Sequence, residues 1–402
     1  MRVIGIYNII ISTGIVLLFF SCDLEEIPEE IPNTFKRTYG WAAEAYGRSV
    51  QQTKDGGYII AGYIVRGTGK KDVYLIKMDA FGDTTFTKIY GGVLDDDGWA
   101  VHQTNDGGYI ITGSTVSPGP AYTKVYLIKT DAVGEIEFET PLGIDDQLDE
   151  GRSVQQTKDG GYIITGFIFG ERRTDVYLIK TDASGDTLFT KTFGGTKDDY
   201  GYSVQQTKDG GYIITGSTIR RKNDVYLIKT DRDGEKEFDK TYGDDYPDDI
   251  MFYDDYGYSV QQTKDGGYII TGSTWSFGAG ESDVYLIKTD DDGEIEFANP
   301  IGGTGQDGGR SVQQTQDGGY IITGSTSSFG AGGSDVYLIK TNAFGDTTFT
   351  RTFGGIADDY GYAVQQTQDG GYIITGATSS SGSVNSKIYL IKTDAKGIVY
   401  EE

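Results

Sequence analysis

The 402-residue chain has 60 Gly but only 7 Pro, too much glycine for a helical protein and too little proline for a disordered or collagen-like one; 30 Tyr and 13% aromatics favour β-structure. With 35 Lys+Arg against 60 Asp+Glu, the formal net charge of −25 repels nucleic-acid phosphates and argues against a DNA or RNA partner. One Cys and one His exclude intrachain disulfides and His/Cys zinc sites, argue against a cysteine nucleophile, and leave any histidine-dependent triad to His102 alone.

Residues 3–20 form an apolar run behind one positive residue, Arg2, and the run ends at Ser21 and the sole cysteine, Cys22. A small residue before a lone Cys at this place resembles a bacterial lipoprotein signal, which implies lipidation of Cys22 as the mature N-terminus. Phe19 stands where such signals usually carry Leu. The alternative is an uncleaved N-terminal membrane anchor. The acidic, proline-containing stretch after Cys22 (DLEEIPEEIP) reads as a tether and resembles the surface-export signals of Bacteroidetes-type lipoproteins. The expected organisation is a signal over 1–21, a tether over 22–33 and one domain over 34–402. The expected location is the cell envelope, at the outer membrane or cell surface, with the lipid as the only membrane contact.

The remainder is one unit repeated. Gln-Gln-Thr-x-Asp-Gly-Gly-Tyr-Ile-Ile occurs seven times, with His102 for the first Gln of the second copy, and its Asp residues (Asp55, Asp106, Asp159, Asp209, Asp265, Asp317, Asp369) are 50 to 56 residues apart. Each unit holds four short strands, in the first copy A (49–53), B (58–62), C (73–77) and D (85–90). B and C are near-continuous apolar runs, as for strands buried on both faces, while A and D alternate. Asp-Gly-Gly and Asp-Ala-x-Gly supply the A–B and C–D hairpins. Four antiparallel strands at this period predict an all-β, seven-bladed β-propeller. Residues 34–40 (TFKRTYG) match strand D, and the last unit stops after Gly397 without one. The N-terminal strand is therefore expected to pair with 388–392, completing the last blade and closing the ring.

At the level of motifs, Asp-Gly-Gly-Tyr and Thr-Asp-Ala-x-Gly-Asp-x-x-Phe resemble the repeats of exported bacterial and archaeal seven-bladed β-propeller proteins. The C–D turn is similar to quinoprotein-type repeats, with Phe35, Phe86, Phe138, Phe189, Phe238, Phe297 and Phe349 where those carry Trp. Thr53-x-Asp55-x-Gly57 resembles the sialidase Asp-box, with Ile59 and Ile60 in place of its Thr and Trp. The resemblance covers residues 34–397 and implies a fold; propellers host many functions.

Length variation picks out one face. The A–B and C–D hairpins keep the same length in every complete copy. From the Gly ending strand B to the first apolar residue of strand C the spacing ranges from 9 to 12, and from the strand-D Phe to the first Gln of strand A (His102 in the second copy) from 16 to 23. In an up-and-down blade the two variable connections, B–C and D–A, emerge together, the usual mark of a binding face. The D–A connections are acidic, and the longest, residues 243–257, holds six Asp with Tyr246, Met251, Phe252, Tyr253 and Tyr256. Its Asp248, Asp249, Asp254 and Asp255 form a candidate Ca²⁺ site, the alternative being a solvated acidic loop. The B–C connections of blades 1, 3 and 4 are basic (Arg66/Lys70/Lys71, Arg172/Arg173, Arg220/Arg221/Lys222). Those of blades 5 to 7 are Gly/Ser-rich, with Trp275, Phe277 and Phe329 as exposed-aromatic candidates.

The residue before the Ser-Val or Ala-Val of strand A is Arg48, Trp99, Arg152, Tyr202, Tyr258, Arg310 and Tyr362 in turn. With strand A innermost, these lie at the mouth of the central channel, where Arg and aromatic side chains suit stacking on sugars or clamping of anionic groups; the alternative is packing between blades. The seven Asp of Asp-Gly-Gly and the seven strand-C Lys (Lys77 to Lys392) are read as scaffold, because one active site does not need seven copies. The leading expectation is a membrane-anchored, non-enzymatic, monomeric propeller that binds a protein or carbohydrate, with no cofactor beyond Ca²⁺. The alternatives are a propeller enzyme of quinoprotein, lyase or glycosidase type with a carboxylate/Tyr/Arg site at the channel mouth, and a structural cell-surface component.

Overall fold

Each apolar run of the repeat becomes a strand. In a computed structural model, which describes residues 33–400 apart from 41–42, 68, 117–121, 145–146, 171 and 244–252, blade 1 consists of strand A (Ala45–Gln52), B (Tyr58–Val65), C (Lys71–Met78) and D (Thr84–Tyr90). The described residues form 28 strands in seven four-stranded antiparallel sheets and contain no helix. Each strand A touches strand A of both neighbours, so the seven sheets form the blades of a closed propeller around a channel lined by Val50, Gln51 and their counterparts. Cys22 and the rest of residues 1–32 lie outside the described residues.

The cores lie between blades. Strands B and C are buried along nearly their whole length, and each hydrophobic cluster joins one blade to the next, as Leu75 and Val73 of blade 1 meet Ile111 and Tyr126 of blade 2. The repeated aromatic residues add a second joint. The strand-D Phe of each blade packs on the Asp-Gly-Gly-Tyr tyrosine of the next, with ring centroids 6.2 to 6.5 Å apart at all seven junctions. The N-terminal strand Phe35–Tyr39 obeys the same rule. It pairs with Lys387–Thr393 from Phe35↔Lys392 to Tyr39↔Ile388, and Phe35 packs on Tyr58 of blade 1. The closure expected from the sequence is therefore the one observed.

The repeated Asp and Lys are built into the scaffold. Asp55 accepts from Thr53 Oγ1 (2.5 Å) and Gly57 N (3.0 Å) inside its own turn, and lies 2.9 Å from Lys77 Nζ; all seven copies of this ion pair form, at 2.9 to 3.2 Å.

The glutamines stitch the channel wall. The first Gln of one blade accepts from the backbone N–H of the second Gln of the next, as Gln51 Oε1 does from Gln103 N at 2.6 Å, at six of the seven junctions. The second Gln accepts from the A–B turn of the preceding blade at all seven, including Gln368 N to Gln52 Oε1 (2.9 Å) across the closure. The gap falls between blades 2 and 3. There His102 replaces Gln, its Nδ1 is buried without a partner among the described residues, and Ala100 replaces the Ser whose Oγ accepts from the next blade in five other blades. His102→Gln is expected to restore the seventh bond and stabilise the protein by about 1 kcal/mol, read as a higher denaturant midpoint. Burial pushes the His102 imidazole below its ordinary pKa. The unfolded chain therefore binds the proton more readily, and stability falls as pH drops through the ordinary histidine range. The substitution should flatten that slope.

Candidate channel-mouth site

The mouth is built by a β-bulge. In every blade the pairing of strand A with strand B slips by one residue between a Gly and the following Ser or Ala, and the residue left unpaired is Arg48, Trp99, Arg152, Tyr202, Tyr258, Arg310 or Tyr362. A bulge re-aims the extra side chain. Here it turns all seven into one cavity of about 510 Å³, lined by these residues at the end of strand A nearest the variable face. The Gly ending strand B explains its own repetition. A Cβ on Gly62 would collide with Tyr46 O on the bulged strand, and the same clash recurs at each equivalent Gly.

The ring is asymmetric. In blades 1 to 3 the Trp99 ring lies between two guanidiniums, with Arg48 Cζ 3.4 Å and Arg152 Cζ 3.5 Å from its centroid. Arg152 is held by Glu150 (2.9 Å), and Arg48 lies 3.5 Å from Asp97. Burial lowers the Arg152 pKa; Glu150 opposes this and the like charge of Arg48 adds to it. Among the described residues, Trp99 Nε1 and Arg152 Nε are buried with no hydrogen-bond partner, and Arg48 Nε, also buried, faces Asp97 Oδ1 at 3.5 Å without a hydrogen bond. In blades 4 and 5, Tyr202 and Tyr258 meet at 5.4 Å, and Arg310 Cζ sits 4.1 Å over Tyr258. Burial pushes the Tyr202 and Tyr362 phenols up to about 12, so both remain neutral donors at physiological pH.

The sequence reading missed an outer shell of tyrosines two residues before the bulge. Tyr200, Tyr256 and Tyr360 stack nearly parallel on Tyr202, Tyr258 and Tyr362 at 5.8 to 6.3 Å. In blade 6 this position is Gly308, and Arg310 beside it is exposed. Trp275 joins the shell by an edge-to-face contact with Tyr256 (6.0 Å) and is 37% exposed. Phe277 does not reach the cavity and packs on Tyr285.

Where they are described, the acidic D–A connections run into strand A. Strand A starts four residues earlier than the sequence suggested, at Ala45 in blade 1, so the Asp pairs fall at the junctions between blades. The first Asp caps the start of strand C in the preceding blade, as Asp95 accepts from Lys71 N, Asp198 from Thr174 N and Asp254 from Asn223 N. The position after it is a buried Asp in six blades, Asp96, Asp149, Asp199, Asp255, Asp307 and Asp359, preceded by Leu148 in blade 3 and Gln306 in blade 6. Asp255 accepts from Ser276 Oγ, whereas Asp254 is engaged by Asn223 and Tyr256, so these two members of the candidate Ca²⁺ set serve different partners; Asp248 and Asp249 lie outside the described residues.

No family model matches the chain, and no curated protein matches it. Similar solved structures include a protein of unknown function from Dyadobacter fermentans (13% identity over 90% of this chain and 99% of that one, TM-score 0.47). Sqt1 from Chaetomium thermophilum (10%, 84% and 81%, 0.47) and the Pan2 WD40 domain from Neurospora crassa (7%, 90% and 100%, 0.47) are others. The class that the fold and cavity define is a seven-bladed β-propeller with an arginine–aromatic channel mouth.

Proposed function

We propose that the protein is an exported, lipid-anchored propeller that binds, without catalysis, a carbohydrate bearing carboxylate or other anionic groups. The observation that carries this reading is the channel-mouth cavity, with Trp99 and the tyrosines as stacking surfaces and the Trp99 and Arg152 N–H groups that lack a hydrogen-bond partner among the described residues as donors to an anion. A cationic mouth on a chain of net charge −25 concentrates an anionic group at one place and repels it elsewhere. Binding is favoured over hydrolysis because the seven lining residues include no Asp or Glu, and a glycosidase needs two.

The full chain should retain uronate-containing oligosaccharides over neutral ones on a glycan array. Trp99→Ala and Arg152→Ala should each weaken that binding by about tenfold or more, from lost stacking and charge-assisted hydrogen bonds. Undiminished binding by both variants would move the site to the loops around Trp275. For the anchor, metabolic fatty-acid labelling should mark the wild type and leave Cys22→Ala unlabelled.

A further inference from the structure

Every junction between blades sets the start of strand C in one blade against the start of strand A in the next, and most place two carboxylates there. Between blades 1 and 2 these are Asp72 and Asp96; an added Cβ on Gly91 would strike both. Two such charges taken out of water need a compensating cation or a proton. At this junction the chain supplies the cation, since Arg66 donates to both oxygens of Asp72 and to Gly92 O. Between blades 3 and 4, Arg173 pairs with Asp175. Between blades 4 and 5, Lys222 is the positive neighbour of Asp255. Between blades 2 and 3 the strand-C position is itself basic: Lys124 faces Asp149 and donates to Ile144 O. At the closure, Lys387 donates to Ala43 O and the facing residue is Ala45.

The junctions between blades 5 and 6 and between blades 6 and 7 break this rule. Asp283 and Asp307 converge on Gly302, and Asp335 and Asp359 on Gly354, where a Cβ would strike both carboxylates. All four Asp are at most 2% exposed, and no ion pair to any of them occurs among the described residues. Their Oδ2 atoms are satisfied: Asp283 by Ala279 N, Asp335 by Ala331 N, Asp307 by Gly303 N and Ser328 Oγ, Asp359 by Gly355 N and Ser380 Oγ. Among the described residues, Asp283 Oδ1, Asp307 Oδ1 and Asp359 Oδ1 are buried with no partner, as are Asp149 Oδ1 and Asp199 Oδ1 at other junctions; what sets these two junctions apart is the missing basic side chain. These are also the junctions whose B–C connections are Gly/Ser-rich instead of basic.

We infer that each of these two junctions binds a hard divalent cation of the Ca²⁺ type, held by Asp283 with Asp307 and by Asp335 with Asp359, where the other junctions use a lysine or arginine of the chain. Ca²⁺ suits the donors, because each junction offers two carboxylates and neither His nor Cys; no third acidic, His or Cys side chain joins them among the described residues. The remaining ligands are then carbonyl oxygens or water, which Ca²⁺ accepts in flexible number. Each cation is structural and joins two neighbouring blades, so the pair links blades 5, 6 and 7.

The test strips the full chain with EGTA and titrates it with Ca²⁺ alone by calorimetry and thermal melting. Two Ca²⁺ should bind, and saturation should raise the melting temperature by about 3 °C or more. Asp283→Asn with Asp307→Asn should lose one site, and adding Asp335→Asn and Asp359→Asn should lose both. Because Asn removes the repulsion, the fourfold variant should melt in EGTA at or above the wild type and ignore Ca²⁺. Asp283→Lys, which copies Lys124, should fold and also bind one Ca²⁺ fewer. The inference is overturned if stripped wild type binds no more Ca²⁺ than the fourfold variant. It is overturned too if Ca²⁺ leaves the melting unchanged while acidification from pH 7 to 5 raises it, the outcome of a shared proton.

Discussion

Removing residues 23–40 should cost about 5 kcal/mol or more, a loss comparable with the whole stability of a marginal domain. The strand Phe35–Tyr39 contributes five paired residues to the edge of Lys387–Thr393. Phe35 is 6% exposed, packs on Tyr58 and covers Gly82, whose φ of +82° leaves the space for its ring. Tyr39 OH donates to Gly82 O at 2.5 Å, as Tyr90 OH does to Gly134 O one blade on. Truncating a buried Phe alone costs about 3–5 kcal/mol, and the deletion also removes the strand pairing and exposes an unpaired edge. Phe35→Ala should therefore account for more than half of the loss. The deletion should also promote association through the exposed edge, visible by light scattering. Thermal melts of the truncated and full chains decide the matter, and an unchanged melting temperature would reject closure by this strand.

The fold was legible because seven near-identical copies remove the ambiguity of any one. A single Tyr-Ile-Ile-Thr-Gly run could belong to several structures; seven such runs (Ala61 for Thr in the first), each preceded by the same Asp-Gly-Gly turn and followed by a second apolar run, fix strand number, order and the circular swap. The channel-mouth residues were legible for a related reason. Within Gly-x-Ser-Val-Gln-Gln-Thr, position x changes chemistry between Arg, Trp and Tyr from blade to blade while the other positions change only at Ala100, His102 and Ala363, so variation inside a nearly constant frame marked it. The bulge that gives this position its direction left only an indirect trace, the Gly ending strand B, whose need for space becomes visible once Tyr46 O is placed against Gly62. The Asp-Asp pairs misled because adjacent charges ordinarily signal solvent. Here blade-to-blade packing buries the second Asp, and the basic side chains near these junctions, such as Arg66 from a B–C connection or Lys124 from the start of strand C, differ from copy to copy. The stacking of Arg48, Trp99 and Arg152 was hidden in the same way, since it joins three blades whose residues are about fifty positions apart.

Acid should unfold the propeller cooperatively between about pH 4 and 2, through the seven Asp–Lys pairs on the hairpin face. Each lysine is buried and donates to the carbonyl at the end of its own strand, as Lys180 Nζ does to Thr181 O at 2.8 Å; the carboxylate is its second partner. Burial alone would raise the Asp pKa values, but hydrogen bonds from Thr, Lys and the turn N–H outweigh it and hold Asp106, Asp209 and Asp317 at about 2. The folded state thus binds protons less readily than the unfolded chain, so the stabilisation is complete above about pH 4 and is lost as pH falls through the folded value. The carboxylates are more than half exposed, which discounts each pair to about 1 kcal/mol, yet seven together approach the stability of a domain. Blades differ in a way that tests the account. Lys129 has a second carboxylate, Glu137 at 2.7 Å, whereas Asp159 is the carboxylate paired with Lys180 among the described residues. At pH 7, Asp159→Asn should leave a buried ammonium short of a counter-charge and cost about 1–3 kcal/mol, while Asp106→Asn should cost under about 1 kcal/mol because Glu137 remains. Denaturant melts of the two variants at pH 7 and pH 3 separate them. The gap should narrow at pH 3, where Glu137 is itself largely protonated, and equal costs at pH 7 would remove the carboxylate as the reason these lysines can be buried.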